Sequence, residues 1–234
     1  MFKYLILAAA LLVGACEHTP MGGEHNTPGL VPPNDIIPNV QDYGILAGSA
    51  ITCTTAGKVN ANIGVSPGTA VTGFPPCTFA GEKHVADAEA AAAQAELLKT
   101  YNYLKGLTCN TVVSPADIGG KTLAPGVYCV ATSLAITGTV TLDGQGNSDA
   151  RFVFQMGSTL GSSVGAKVKL INGAQAKNVW WQVGSSATIG TGTCFEGTIA
   201  ALTSITLNAN VKLHGRALAR NGAVTLGANV ITLP

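Results

Sequence analysis

Three stretches near the C-terminus decide the fold: GSSATIGTGTCFEG (184–197), LTSITLNANVKLHG (202–215) and RNGAVTLGANV (220–230). They align on Thr188, Thr206 and Thr225, which lie 18 and 19 residues apart. A repeat of about that length fits one solenoid coil made of three short strands. Within each stretch, apolar and small residues alternate, as in a strand with one buried face. Ile189, Leu207 and Leu226 take the inward positions. Thr188 with Gly190, Thr206 with Asn208, and Thr225 with Gly227 take the outward ones. The segment GSTLGSSVGAKVKLING (157–173) extends the pattern, with Thr159 in the Thr column and Leu160 inward. Stacked coils then build a flat outer face bearing a ladder of Thr and other small residues.

A second column reads as wide and apolar: Val153 and Phe154, Trp180 and Trp181, Ile199 and Ala200, Leu218 and Ala219. It is the expected seat for the only segment with helical period, HVADAEAAAAQAELLKTYNYL (84–104). There Val85, Ala88, Ala92, Ala95, Leu98, Tyr101 and Leu104 recur every three or four residues. Ala is the best helix former, acids lie near the start, lysines lie near the end, and Gly106 supplies a stop.

Composition agrees with a solenoid. Of 234 residues, 47% are hydrophobic but only 11% are charged, against the usual share of roughly 25%. The apolar residues are spread among Thr, Ser and Gly, and a long apolar run occurs only at the N-terminus. That excludes a multi-span membrane protein. Disorder is excluded too, because it needs low hydrophobicity and high charge. The net charge of +1 implies no strongly acidic or basic partner, and no nucleic acid is expected.

Residues 1–16, MFKYLILAAALLVGAC, read as an export signal: Lys3, an apolar run too short to span a bilayer, then Gly14 and Ala15 before Cys16. The end of this run resembles a bacterial lipobox, in which the cysteine is acylated and becomes the mature N-terminus. Residues 1–15 are therefore expected to be a lipoprotein signal peptide, with Cys16 the lipidation site. Glu17, in place of an inner-membrane retention Asp, favours the outer membrane or cell surface. Residues 16–38 hold five prolines and three glycines and read as a tether. His18 and His25 fall there beside Glu17 and Glu24, as expected of a solvated linker rather than a metal site. Residues 39–234 form the expected folded domain.

An exported chain is expected to carry disulfides. Sequence proximity pairs Cys53 with Cys77 and Cys109 with Cys129, leaving Cys194 over. No C-x-x-C motif occurs and the histidines lie far apart, so neither a metal nor a cofactor is expected. Residues 152–234 hold six basic residues, Lys167, Lys169, Lys177, Lys212, Arg216 and Arg220, against Glu196 alone. That bias motivates an alternative role, an envelope-anchored adhesion or structural module binding glycan or another polyanion. Catalysis is not expected. Two G-x-S-x-G matches, at 64–68 and 161–165, lack the following helix that a nucleophile elbow needs. His84 and His214 are candidate general bases, but the sequence sets no acid to orient either one. Acids are too few in the C-terminal part for a glycosidase pair.

Several runs together resemble the microbial ice-binding protein family: ILAGSAIT (45–52), NIGVSPGTAVTGFPP (62–76), LAPGVYCV (123–130), TLDGQGNSDARFVFQMGSTL (141–160), LINGAQAKNVWWQVGSSATIGTGT (170–193) and GRALARNGAVTLGANVI (215–231). The resemblance implies a mainly β fold, a right-handed discontinuous β-solenoid of triangular section with one long α-helix along a side. It further implies that N-terminal strands insert between coils formed later in the chain. The implied activity is adsorption to ice by a monomer through one flat face, here bearing Thr159, Thr188, Thr206, Asn208 and Thr225. Family members often carry a Thr-Ala/Gly-x-Thr/Asn motif beside that face. Here Thr191-Gly192-Thr193 is followed by Cys194, and the next coil has Ala209-Asn210-Val211-Lys212. Thr191 and Thr193 thus join the expected site, while Cys194 and Lys212 depart from the pattern.

Overall fold

The computed structural model describes residues 39–234. The signal segment, Cys16 and the tether lie outside the described residues. Every strand pairing is parallel, and the strands stack in three columns, one per side of the coil.

The first column runs Thr111–Val112, Gly126–Val130, Phe152–Met156, Val179–Val183, the second halves of Cys194–Ala201 and Lys212–Ala219, then Tyr43–Ala47, Asn62–Val65 and Lys83–Val85. The second holds Leu134–Ile136, Leu160–Ser162, Ala187–Ile189, Ile205–Leu207, Val224–Leu226, Ala50–Cys53 and Ala70–Thr72. The third contains Thr122–Leu123, Thr139–Asp143, Lys167–Ile171, the first halves of the two long strands, Val230–Thr232, Lys58–Asn60 and Thr78–Phe79. The two long strands turn the corner between the third and first columns at Gly197 (φ 100°) and Gly215 (φ 155°). The two glycines are register partners, and a Cβ on Gly215 would run into the Gly197 carbonyl. Only glycine fits such a corner.

The coil interior is dry and apolar. Tyr128, Phe154, Trp181 and Phe195 stack along it, with successive ring centroids 5.3, 4.0 and 5.1 Å apart. The Trp181 indole N–H donates to the Glu196 carbonyl at 3.0 Å, so its one polar atom is satisfied. Both disulfides expected from proximity, Cys53–Cys77 and Cys109–Cys129, are present. No described cysteine, Cys194 included, is a free thiol.

The helix spans Ala88–Gly106, capped by Asp87, whose side chain accepts the Ala90 N–H at 2.8 Å. It starts later than expected because His84 and Val85 belong to the strand Lys83–Val85. Its buried face also differs. Ala90, Ala93, Leu97, Tyr101 and Leu104 are buried, whereas Ala88, Ala92, Ala95 and Leu98 face solvent. The buried residues pack on Leu46, Val127, Val153, Trp180, Ala200 and Leu218 of the first column. That column is where the sequence seated the helix, but its register differs in two places. Phe154, Trp181, Ile199 and Ala217 are the true partners, and Leu218 lies beside Ala200. Buried polar groups lock the seat: Gln94 donates to the Ala219 carbonyl at 3.1 Å, and Tyr101 to that of Val183 at 3.3 Å. No helix among the described residues is long and apolar enough to cross a membrane.

The helix also explains the chain order. Its 19 residues are about 28 Å long at 1.5 Å per residue. It touches strands from Lys83–Val85 to Phe152–Met156, which are six strand spacings apart, or about 29 Å. It carries the chain from one end of the stack towards the other, and the later coils grow back until Lys212–Ala219 pairs with Tyr43–Ala47. The N-terminal coils therefore stack beyond the last coil. They are not inserted between later coils, as the family resemblance implied.

Candidate functional site

The three outer faces differ in kind. The first is covered by the helix. The third bears Lys58, Lys167, Lys169 and Lys212, all exposed, with His214 and Glu196 paired at 2.8 Å. The second carries no charged residue at the outward positions of its seven strands.

The central row of that second face follows from the strand register: Ala135, Gly161, Thr188, Thr206, Thr225, Thr52 and Thr72. Every member is small, so the row is flat. Neighbouring strands are about 4.8 Å apart, and outward residues repeat roughly every 6.7 Å along a strand. The side chains of Thr188, Thr206 and Thr225 have no protein hydrogen-bond partner among the described residues, so their hydroxyls are left to water. Thr52 and Thr72 bond to each other at 3.3 Å.

Thr188, Thr206 and Thr225 therefore form one column, as read from the repeat. Thr159 does not join it. Leu160 pairs with Ala187, which puts Gly161 beside Thr188 and shifts Thr159 into a flanking row. There Thr159 donates to Ser133 Oγ at 2.7 Å. In the same flanking row, Ser186 accepts the Ser204 N–H and Ser204 accepts the Ala223 N–H, each at 3.3 Å. Asn208 lies half-buried on the opposite flank, two residues beyond Thr206. Thr191 sits half-buried at the corner.

Thr193 is a correction, because it is only 1% exposed and cannot touch a surface. Its hydroxyl lies 3.1 Å from Ser162 Oγ and donates to the Ser163 carbonyl at 3.3 Å. Cys194 and Lys212 are partners in the third column, with Lys167 next in line, so neither interrupts the threonine rows. Sequence reasoning missed Thr52 and Thr72. The N-terminal coils carry no clear copy of the repeat, and only tertiary register places them in the row.

At the edge of this face Asp117 bridges to Ala135. Its carboxylate accepts the Gly119 and Thr137 N–H groups at 2.8 and 3.1 Å. Partial burial raises its pKa, but these hydrogen bonds outweigh that and hold it below the usual value.

The basic bias of residues 152–234 does not make one patch. Arg216 is buried on the helix side, and its Nε and one terminal nitrogen donate to the Gln41 carbonyl at 3.1 and 2.7 Å. Burial lowers its pKa to about 10, opposed by nearby Asp42, and leaves it cationic at neutral pH. The reading of the two histidines also changes. Each has a carboxylate partner: Asp87 Oδ2 lies 3.0 Å from His84 Nδ1, and Glu196 Oε2 lies 2.8 Å from His214 Nδ1. Neither Ser66 nor Ser163, the central serines of the G-x-S-x-G matches, is followed by a helix.

A family model described as ice-binding-like matches residues 45–232. An ice-binding protein of Nostoc sp. (strain HG1) is 46% identical over 192 residues, covering 82% of this chain and 71% of that protein. One from Colwellia sp. is 31% identical over 207 residues, covering 82% and 81%. Against ice-binding protein 1 of Shewanella frigidimarina, 41% identity over 124 residues spans only 14% of that longer protein. The crystal structure of an ice-binding protein from an Antarctic biological consortium superposes with a TM-score of 0.84 at 41% identity, over 91% of this chain and 96% of that one. With a family match across the solenoid, relatives that share most of their length with it and a shared fold, the chain belongs to the ice-binding protein family.

Proposed function

We propose that this chain adsorbs to ice through its second face. The central row is Thr52, Thr72, Thr188, Thr206 and Thr225, with Thr159 and Asn208 in the flanking rows. The observation that carries the reading is the row itself: flat, uncharged, periodic, and with three hydroxyls unclaimed by the protein. Hydroxyls at regular spacing hold water by hydrogen bonds, and the neighbouring methyls restrict how that water can orient. A charge would draw water into a shell unlike ice, and the face has none on its strands. An ordered layer of this kind can join a growing crystal, leaving ice to advance only as curved fronts between bound molecules. No catalytic group or cofactor takes part.

Slow freezing of the protein beside an inert control tests this. The wild type should be enriched in the ice, and the double variant Thr188→Tyr/Thr206→Tyr should stay in the liquid with its circular dichroism unchanged. Equal enrichment of both would overturn the face assignment.

The lipobox-like end of residues 1–16 supports an envelope location, with the solenoid held off the outer membrane or cell surface by residues 16–38. Mass spectrometry of the membrane fraction checks it. A diacylglyceryl thioether on Cys16 supports the anchor. A Cys16 that is unmodified or held in a disulfide discards it, since one sulfur cannot do both.

A further inference from the structure

The helix start meets the edge strand Lys83–Val85 at one open end of the stack. The run Glu82-Lys83-His84-Val85-Ala86-Asp87-Ala88-Glu89 holds three of the chain's twelve acidic residues. Ala86 takes a left-handed conformation (φ 50°), and across it Asp87 Oδ2 faces His84 Nδ1 at 3.0 Å. His84, Asp87 and Glu89 each offer a ligand atom, and these atoms all lie within 4.8 Å of one another. The other ring nitrogen, Nε2, is 3.4 Å from Glu82 Oε2.

A second observation points into the same cluster. Tyr43 is only 4% exposed, and its hydroxyl is buried without a hydrogen-bond partner. Its ring packs on His84 with centroids 5.6 Å apart. Burial first, and then the carboxylates of Asp87, Glu89, Glu82 and Asp42, push its pKa up to about 12. A buried polar atom normally has a partner, and an orphan calls for an unseen one. Here it sits in the field of several carboxylates that one histidine does not neutralise.

We propose that His84 Nδ1, Asp87 Oδ2 and a Glu89 carboxylate oxygen form a divalent-cation site of the zinc type, with Glu82 orienting the imidazole. The donor chemistry selects the class. One imidazole and two carboxylates leave a fourth position for water, and a nitrogen ligand disfavours calcium and magnesium. Tetrahedral ligands around zinc are roughly 3.3 Å apart, close to the 3.0 Å between Nδ1 and Oδ2. Glu89 is exposed and can swing to close the third contact. A carboxylate on the far ring nitrogen fixes tautomer and ring plane, as metal-bound histidines usually require. Asp87 can cap and ligate together, because Oδ1 holds the Ala90 N–H while Oδ2 faces His84. A metal-bound water is the partner the Tyr43 hydroxyl lacks. The ion would clamp the last strand to the helix and protect an open edge.

The test is titration of the chelator-treated full chain with zinc, cobalt and calcium ions, followed by calorimetry and melting temperature. One zinc per chain should bind and raise the melting temperature, cobalt should develop tetrahedral visible absorption bands, and calcium should bind at least tenfold more weakly. Glu89→Gln should weaken zinc binding at least tenfold with its metal-free melting temperature unchanged, and His84→Gln should abolish the cobalt bands. Asp87 is left intact because its loss would uncap the helix. No zinc binding, calcium binding as tight as zinc, or binding untouched by both substitutions would each overturn the proposal.

Discussion

Two threonines five residues apart show how much one side chain's direction decides. Thr188 points its methyl and hydroxyl outward from the middle of a strand, while Thr193 turns inward and spends its hydroxyl on Ser162 and Ser163. Substitution should therefore separate stability from adsorption. Thr193→Val strips a buried site of its hydrogen bonds and should cost about 1–3 kcal/mol in urea unfolding, with ice enrichment unchanged. Thr188→Tyr should do the opposite, keeping stability within about 0.5 kcal/mol, as exposed substitutions do, while lowering enrichment. Asp117 makes a prediction in pH. Its folded pKa is depressed, so the stability it contributes is complete above the ordinary carboxylate value and is lost as pH falls through the folded one. From roughly pH 5 downward, the wild type should lose more stability than Asp117→Asn, whose side chain does not titrate. Parallel unfolding curves at each pH would remove Asp117 from the acid response.

Among the elements, the helix was legible as a helix and illegible in its register. Alanine at nearly every turn favours the conformation but leaves no contrast between faces. The buried side further hides polar residues, Gln94, Glu96 and Thr100, which no hydrophobic period can find. Glu96 is buried because Asn39 donates to it from both backbone and side chain, at 3.1 and 2.6 Å. A pair of neighbouring substitutions reads the register directly. Leu97→Ala should cost about 2–5 kcal/mol by leaving a cavity over Trp180 and Leu218, and Leu98→Ala under about 0.5 kcal/mol. Similar losses from both would mean that the helix is rotated from the seat described. The misplaced Thr159 has a comparable origin. Leu160 and Ala187 are 27 residues apart, not 18 or 19, because that coil carries an added turn at Ala176–Asn178. Matching threonines across unequal coils slips the register by two residues, and a two-residue slip keeps inside in and outside out. Alternation alone could not expose it. The matching Gly-Ser starts at Gly157 and Gly184 were the better guide.

The assembled solenoid divides its sides: one roofed by the helix, one solvated by lysines, one left bare and regular. That division depends on closure between distant parts of the chain. The coil ending in Val224–Leu226 is followed in space by Ala50–Cys53, which returns some 170 residues across the sequence, and then by Ala70–Thr72. The repeat exposed only the C-terminal part of the face. The N-terminal part follows from the helix, whose length returns the chain to where the last coil can meet the first. If ice reads the whole row, position along the chain should not matter and position in the row should. Thr52→Tyr should then reduce enrichment in ice about as strongly as Thr206→Tyr, although the two threonines are far apart in sequence and separated by Thr225 in space. Neither variant should lower the unfolding midpoint appreciably, because both side chains already face solvent. Wild-type enrichment for Thr52→Tyr with loss for Thr206→Tyr would confine the contact to the C-terminal coils and leave the closure a matter of stability alone.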